Sequence, residues 1–470
     1  MSPAPGTAVP RLSRSRSRDA RQAAPVRILH LGLGGFFRAH QAWYTDRAPD
    51  ADRWGIAAFS GRRPELAHAL AAQDGLYTLV TRDSDRDRHE LVSSLSAAHP
   101  GGDHAAWLAY WERPALAVVT LTVTEAGYTR AGGVADSLDT GRADVAADIA
   151  ALRADVRAPG ATAAARLLGG LAARRAAGHG PVALVSCDNL PGNGRVLHRV
   201  VREFAEATGR PELVAAAGDA SYVTTMVDRI TPGTTDEDVI ALRAAGGGED
   251  AAPVMTEPFS EWVLEGEFPA GRPAWDEVGA RIVSDVSPHE ERKLWLLNGG
   301  HSLLAYTGSA LGHDTVAEAV SDARCRDRLT RWWAEASRHL RLPPGDLAAY
   351  QQALLTRFAN ARIRHTLAQI AADGSQKLPV RVLPVLRAER AGGRVPQAAA
   401  QVIAAWLLHL RGAGAPVKDV AADTATAAAR GPLPDAARRV LNLLDPALAH
   451  DEELRAAVTA YAERGHVVNA

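Results

Sequence analysis

The first ordered pattern in the chain is VRILHLGLGG from Val26, a short apolar run that stops on glycines, as a strand buried on both faces does. Runs of the same kind recur at Gly55 to Phe59, Leu116 to Val123 and Val182 to Ser186. Between them lie Ala-rich stretches of helical character, such as Ala143 to Ala177, which Pro159 and Gly160 divide in two. Strands alternating with helices predict an α/β domain with a mainly parallel sheet. After about residue 285 the pattern changes to helical runs, including Cys325 to Leu340, Ala398 to Leu410 and Glu452 to Arg464, with no strand alternation. The predicted organisation is a disordered Arg/Ser-rich tail over 1–24, an α/β domain over 25–284 and an all-helical domain over 285–470.

Composition narrows the function classes. A chain of 470 residues is long enough for two or three domains, and its 53 Lys+Arg against 54 Asp+Glu leave no electrostatic footprint for nucleic acid. Five arginines in the first 24 residues read as a solvated tail. The two cysteines, Cys187 and Cys325, support neither a disulfide framework nor a zinc site of four cysteines, and no His/Cys/Asp cluster has metal-ligand spacing. No apolar run reaches the length of a membrane span, and the expected compartment is the cytoplasm.

Candidate chemistry begins at GLGGFFRAH, residues 32 to 40, directly after the first strand. A dinucleotide-binding turn needs a residue without Cβ at its bend and another where the pyrophosphate meets the backbone, which Gly32 and Gly34 supply. The usual third glycine is replaced by Phe37. After the second strand the chain runs Ser60, Gly61, Arg62, Arg63, with no acid until Glu65. An acid there favours NAD through the ribose hydroxyls, whereas Arg62 or Arg63 could receive a 2′-phosphate, so this strand end does not prove NAD over NADP. Two further strand ends are polar: Thr122, Thr124 and Glu125, and Ser186 to Asn189.

The richest stretch is EERKLWLLNGGHSLLAY, residues 290 to 306, in which Lys293, Asn298 and His301 sit among leucines. On a regular α-helix Asn298 lies about 140° and His301 about 80° round from Lys293, so the three share about half the circumference over about 12 Å. Burial lowers the affinity of a lysine for its proton, which makes Lys293 a candidate general base. Gly299 and Gly300 weaken a helix and predict that something approaches its backbone closely.

Taken together, GLGGFFRAHQAWYTD (32 to 46), QDGLYTLV (73 to 80), TLTVTEAGY (120 to 128), SCDNLPGNG (186 to 194), MVDRITP (226 to 232), KLWLLNGGH (293 to 301) and DGSQKLP (373 to 379) resemble the mannitol dehydrogenase family of long-chain polyol dehydrogenases. That family includes mannitol 2-dehydrogenase and fructuronate reductase (D-mannonate oxidoreductase). The resemblance implies a Rossmann-type first domain, a helical second domain and metal-independent hydride transfer between NAD(P) and a polyol or sugar acid. It implies Lys293 as general base, Asn189 and Asn298 as donors to the developing alkoxide, and His301 as the group that orients substrate. It places Gly32, Gly34, Gly35, Phe36, Phe37, Arg38, Glu125 and Asn189 against the cofactor, and Asp228, Arg364 and Lys377 against the substrate.

Arg364-His365, Gln369-Ile370 and DGSQKLP resemble the fructuronate reductase branch more than the mannitol branch, and a carboxylate substrate needs a cation such as Arg364 or Lys377. D-mannitol with D-fructose, and a mannitol-1-phosphate 5-dehydrogenase-like activity, stay open. A non-catalytic NAD-binding sensor would keep the glycine turn without needing Lys293, Asn298 and His301 together. The expected partners are a small-molecule substrate, with no nucleic acid or membrane, and the chain is read as a monomer or weak homo-oligomer.

Overall fold

The computed structural model describes residues 11–130, 137–246 and 249–468, and the chain divides into two compact units, Met1–Ser287 and Pro288–Ala470. Unit 1 contains strands β1 (Val26–Leu31), β2 (Gly55–Phe59), β3 (Tyr77–Arg82), β4 (Asp87–Val92), β5 (Leu95–His99), β6 (Val118–Leu121), β7 (Ala183–Ser186), β8 (Ser221–Asp228), β9 (Val254–Thr256), β10 (Glu261–Glu265) and β11 (Arg281–Ile282). Eight of them form one sheet in the order β11-β10-β8-β7-β6-β1-β2-β5, and β4-β3-β9 form a smaller one. Every pairing in the large sheet is parallel except β8 with β10. From β1 the chain builds outward through β2 to β5 on one side and through β6, β7 and β8 on the other. The order therefore reverses between β1 and β6, and ligands of open parallel sheets bind beyond the carboxyl ends of strands at such a point.

Side-chain alternation explains why this sheet is covered on both faces. Leu29 and Leu31 of β1, Val119 and Leu121 of β6 and Leu184 of β7 enter one core with Trp107, Trp111 and Phe204. Ile28, Val118, Ala183 and Val185 enter the other, with Phe37, Trp54, Trp262 and Trp275. The Ala143 to Ala177 stretch breaks as its Pro and Gly predict, into helices Ala143–Ala154 and Ala163–Ala176.

The tail requires a correction. Residues 1–10 lie outside the described residues, but 11–24 are fastened to unit 1. Arg14 donates to the carbonyls of Asp74 (3.1 Å), Ser93 (2.9 Å) and Leu95 (2.7 Å), and Arg21 pairs with Asp46 at 2.5 Å. A composition-based reading counts the arginine charges but not the fixed carbonyls that their five donors meet.

Among its described residues unit 2 is built of helices joined by loops, with no strand. The predicted helices appear as Ala323–Ser337, Gln397–Leu410 and Glu452–Val468, around a buried helix, Gly300–Ala310. An ionic hub ties the end of helix Ala323–Ser337 to helix Leu383–Ala391: Glu389, 1% exposed, accepts from Arg338 (2.9 Å), His339 (2.5 Å) and Arg394 (2.9 Å). No helix of the described residues is long and apolar enough to cross a membrane.

Candidate active site

In unit 1 the turn after β1 is built as its glycines predict. Gly32 has φ +109°, and a Cβ there would overlap the Thr122 carbonyl that follows β6, so a side chain is excluded both by conformation and by space. At Gly34 the Cβ direction meets only the Gly32 carbonyl oxygen, at 3.5 Å, and Gly35 is similarly uncrowded, with Thr231 Cγ2 at 3.5 Å. These are the features a pyrophosphate needs: a bend closed tightly on the sheet and open backbone beside it.

The helix that follows departs from expectation. It spans only Gly35–Ala39, ends at His40 and resumes as Gln41–Arg47. Phe37 and Arg38, expected against the cofactor, have buried side chains. The Phe37 ring stacks on His30 of β1 at 3.4 Å, and Arg38 reaches the carbonyls of Gly34 (3.2 Å) and Ala252. What these two positions offer a ligand is backbone, since the place of the third glycine is filled by an aromatic stack. Phe36 is half-buried beside His40, at 5.0 Å between ring centroids.

His30 closes the switch point from below. Its Nδ1 lies 2.8 Å from Thr120 Oγ1 and its Nε2 3.1 Å from Thr122 Oγ1, which ties β1 to β6. Complete burial lowers its pKa to about 3, so the ring is neutral at pH 7.

The neighbouring strand ends are joined by Asp188. One carboxylate oxygen accepts from the Thr124 amide (2.8 Å) and the other from the Tyr128 hydroxyl (2.9 Å), and burial raises its pKa. Thr124 sits at φ +68°, a costly conformation for a β-branched residue, and Asp188 holds it there. This clamp fixes the loops that carry exposed Glu125, on a short 3₁₀ turn Glu125–Tyr128, and exposed Asn189. Asp228 is 4% exposed at the end of β8, opposite Glu261 of β10.

In unit 2 the lysine segment is not one regular α-helix. Helix Ser287–Arg292 passes into a π-helix, Lys293–Gly299, and then into Gly300–Ala310. Hydrogen bonding from residue i to i+5 brings residues five apart nearly above one another, so Lys293 and Asn298 converge more than an α-helix allows. The cause lies in the tryptophan pair of helix Ala323–Ser337: Trp332 Nε1 donates to the Trp295 carbonyl (2.8 Å) and Trp333 Nε1 to that of Leu296 (2.9 Å). The same helix accounts for both glycines. A Cβ on Gly299 would stand 2.7 Å from Trp332 Cζ2, and one on Gly300 2.9 Å from Leu329 Cδ1 and 3.3 Å from Trp333 Nε1. The close approach predicted at this backbone is thus made by protein.

Around the π-helix a polar group assembles. His301, 7% exposed, packs on Phe358 (4.6 Å between centroids) and edge-on to His365 (5.0 Å). Lys377 donates to the Ile370 carbonyl (3.2 Å); burial and then the charge of Arg381 lower its pKa. Burial and then Lys377 likewise lower that of His365. Arg381 donates to the Asn298 carbonyl (3.4 Å) and to Ser302 Oγ (3.2 Å). Arg364 is exposed on the segment leading to Leu367. Sequence reading missed Arg381, although its spacing of four from Lys377 places both on one helix face. It also passed over the Asp188–Tyr128 clamp, for which the sequence carries no local signal because the partners are 60 residues apart.

Comparison with known proteins matches both units. The family description "Mannitol dehydrogenase Rossmann domain" matches residues 26–277, and "Mannitol dehydrogenase C-terminal domain" matches 285–459. The chain is 39% identical over 409 residues to the D-arabinitol 4-dehydrogenase of Ralstonia nicotianae, covering 84% of this chain and 85% of that protein. It is 37% identical over 397 residues to the D-mannonate oxidoreductase of Escherichia coli, covering 82% and 80%. Among solved structures, Pseudomonas fluorescens mannitol 2-dehydrogenase in a ternary complex with NAD and D-mannitol superposes with TM-score 0.76 at 31% identity, over 98% of this chain and 94% of that one. A substrate-free D-sorbitol dehydrogenase gives TM-score 0.88 at 28% identity, over 98% and 97%.

Proposed function

The chain belongs to the mannitol dehydrogenase family, and from that premise we propose that it is an NAD-dependent secondary-alcohol dehydrogenase interconverting a linear polyol or aldonate with its ketose or ketouronate. The observation that carries the chemistry is the π-helix, which sets Lys293 and Asn298 on converging positions one turn before buried His301.

NAD, when bound, supplies the hydride acceptor. The backbone of Gly32, Gly34 and Gly35 would hold its pyrophosphate, with Glu125 and Asn189 on the adjoining strand ends. Lys293, as general base, accepts the proton of the reacting hydroxyl. Asn298 donates a hydrogen bond to that oxygen as negative charge develops, which lowers the barrier because a fixed donor needs no reorganisation. His301, wedged between Phe358 and His365, orients the substrate by hydrogen bonding.

Arg381 donates to the Asn298 carbonyl and to Ser302, and Lys377 lies close enough for its charge to interact with that of Arg381; this pair of cations favours a substrate bearing a carboxylate, D-mannonate with D-fructuronate. The likeness to a D-arabinitol 4-dehydrogenase favours the second reading, a neutral polyol such as D-mannitol with D-fructose. NADH oxidation by the purified chain with D-fructuronate and with D-fructose separates the two. Faster turnover of fructuronate, with a KM raised about tenfold or more in Lys377→Met, supports the sugar acid. Turnover of fructose alone assigns the polyol, and silence on both with NADH still bound favours a sensor.

A further inference from the structure

β2 ends on Phe59, whose carbonyl accepts the amides of Gly32 (3.0 Å) and Leu33 (2.9 Å), so the strand end is bonded directly to the glycine turn. The residues that leave it are anchored as well. The Ser60 amide donates to the His99 carbonyl (2.9 Å), Ser60 Oγ accepts from the Gly101 amide (3.0 Å), and a Cβ on Gly101 would overlap the carbonyls of Ser60 and Gly61. Arg62 and Arg63 therefore rise from a fixed base, and Pro64 confines Arg63 to extended backbone.

Among the described residues no carboxylate occupies this strand end. Glu65, the first acid, lies in helix Glu65–Ala71. Asp103, on the segment after β5, is committed: one oxygen accepts from the Ala106 amide (3.1 Å) and the other lies 3.4 Å from His99 Nδ1. Arg62 and Arg63 are both exposed, and neither makes a hydrogen bond or ion pair among the described residues. An acid here accepts a hydrogen bond from the ribose 2′-hydroxyl and repels a 2′-phosphate; arginines in its place invert that preference.

We propose that Arg62 and Arg63 receive the 2′-phosphate of NADP, so that the chain binds NADP as well as NAD. This rests on the dinucleotide reading of the glycine turn. The guanidinium fork presents paired donors to phosphate oxygens, and two such side chains on consecutive residues can engage it from either side.

The test is a titration of the full chain with NAD+ and with NADP+, followed by calorimetry without substrate, in wild type, in the double variant Arg62→Ala/Arg63→Ala and in Gly61→Asp. No atom lies within 4 Å of the Cβ direction of Gly61, so the new carboxylate fits without repacking. Wild type is expected to bind NADP+ within about tenfold of NAD+. Both variants are expected to weaken NADP+ about tenfold or more relative to NAD+. A wild-type preference for NAD+ above about tenfold, or variants that leave the ratio unchanged, overturns the assignment. NAD+ binding that persists while NADP+ fails removes only this proposal, whereas loss of both in wild type removes the dinucleotide reading with it.

Discussion

His30 shows how one buried group makes the sheet sensitive to acid. Its pKa falls from an ordinary 6.5 to about 3 in the folded chain, so below pH 6.5 the unfolded state takes up a proton that the folded state refuses. Stability is unaffected above that value and is lost as pH falls from 6.5 toward 3, by at most about 1.4 kcal/mol per pH unit from this residue. Urea unfolding at pH 7 and pH 5 should show a smaller loss in His30→Gln than in wild type; equal losses would mean that the ring is not held neutral. Asp188 makes a different prediction. Replacement by Asn keeps the shape but offers only one acceptor oxygen to Thr124 and Tyr128, and should cost about 1–3 kcal/mol while lowering kcat. Full turnover in a correctly folded Asp188→Asn would show that the clamp does not position the strand ends. None of this was legible along the chain, because both residues act through partners 60 or more positions away.

At the scale of elements, the strands framing the switch point were readable because each is a short apolar run closed by glycine or polar residues, and β2 appears with the predicted limits Gly55–Phe59. The short edge strands were not, since β11 is two exposed residues with no periodicity to detect. The lysine segment was read correctly as buried helix and wrongly as regular α-helix: two indole donors take the carbonyls of Trp295 and Leu296, and the glycines let Trp332 and Trp333 close on the turn. Gly299→Ala tests this. Its Cβ, 2.7 Å from Trp332, must displace the indole or the π-helix. The expected result is a loss of about 1–3 kcal/mol of stability and a fall in kcat larger than any change in NAD affinity. An unchanged kcat would show that the π geometry is not needed.

At the scale of the whole molecule, the proposed chemistry is divided between the units: the switch-point turn of unit 1 has the form of a dinucleotide turn, and the π-helix of unit 2 carries Lys293, the proposed base. The chain divides at Ser287, close to the change of pattern near residue 285, whereas the bonds of Arg381 to Asn298 and Ser302 appear only once helices pack. The central claim is that Lys293 is the general base. It is tested most directly by comparing NADH oxidation, with whichever of D-fructuronate and D-fructose wild type turns over, in wild type and Lys293→Ala at pH 7, alongside NADH binding. The account predicts a loss of about 10²- to 10⁴-fold or more in kcat with NADH binding retained. Turnover that survives at neutral pH in Lys293→Ala would contradict it.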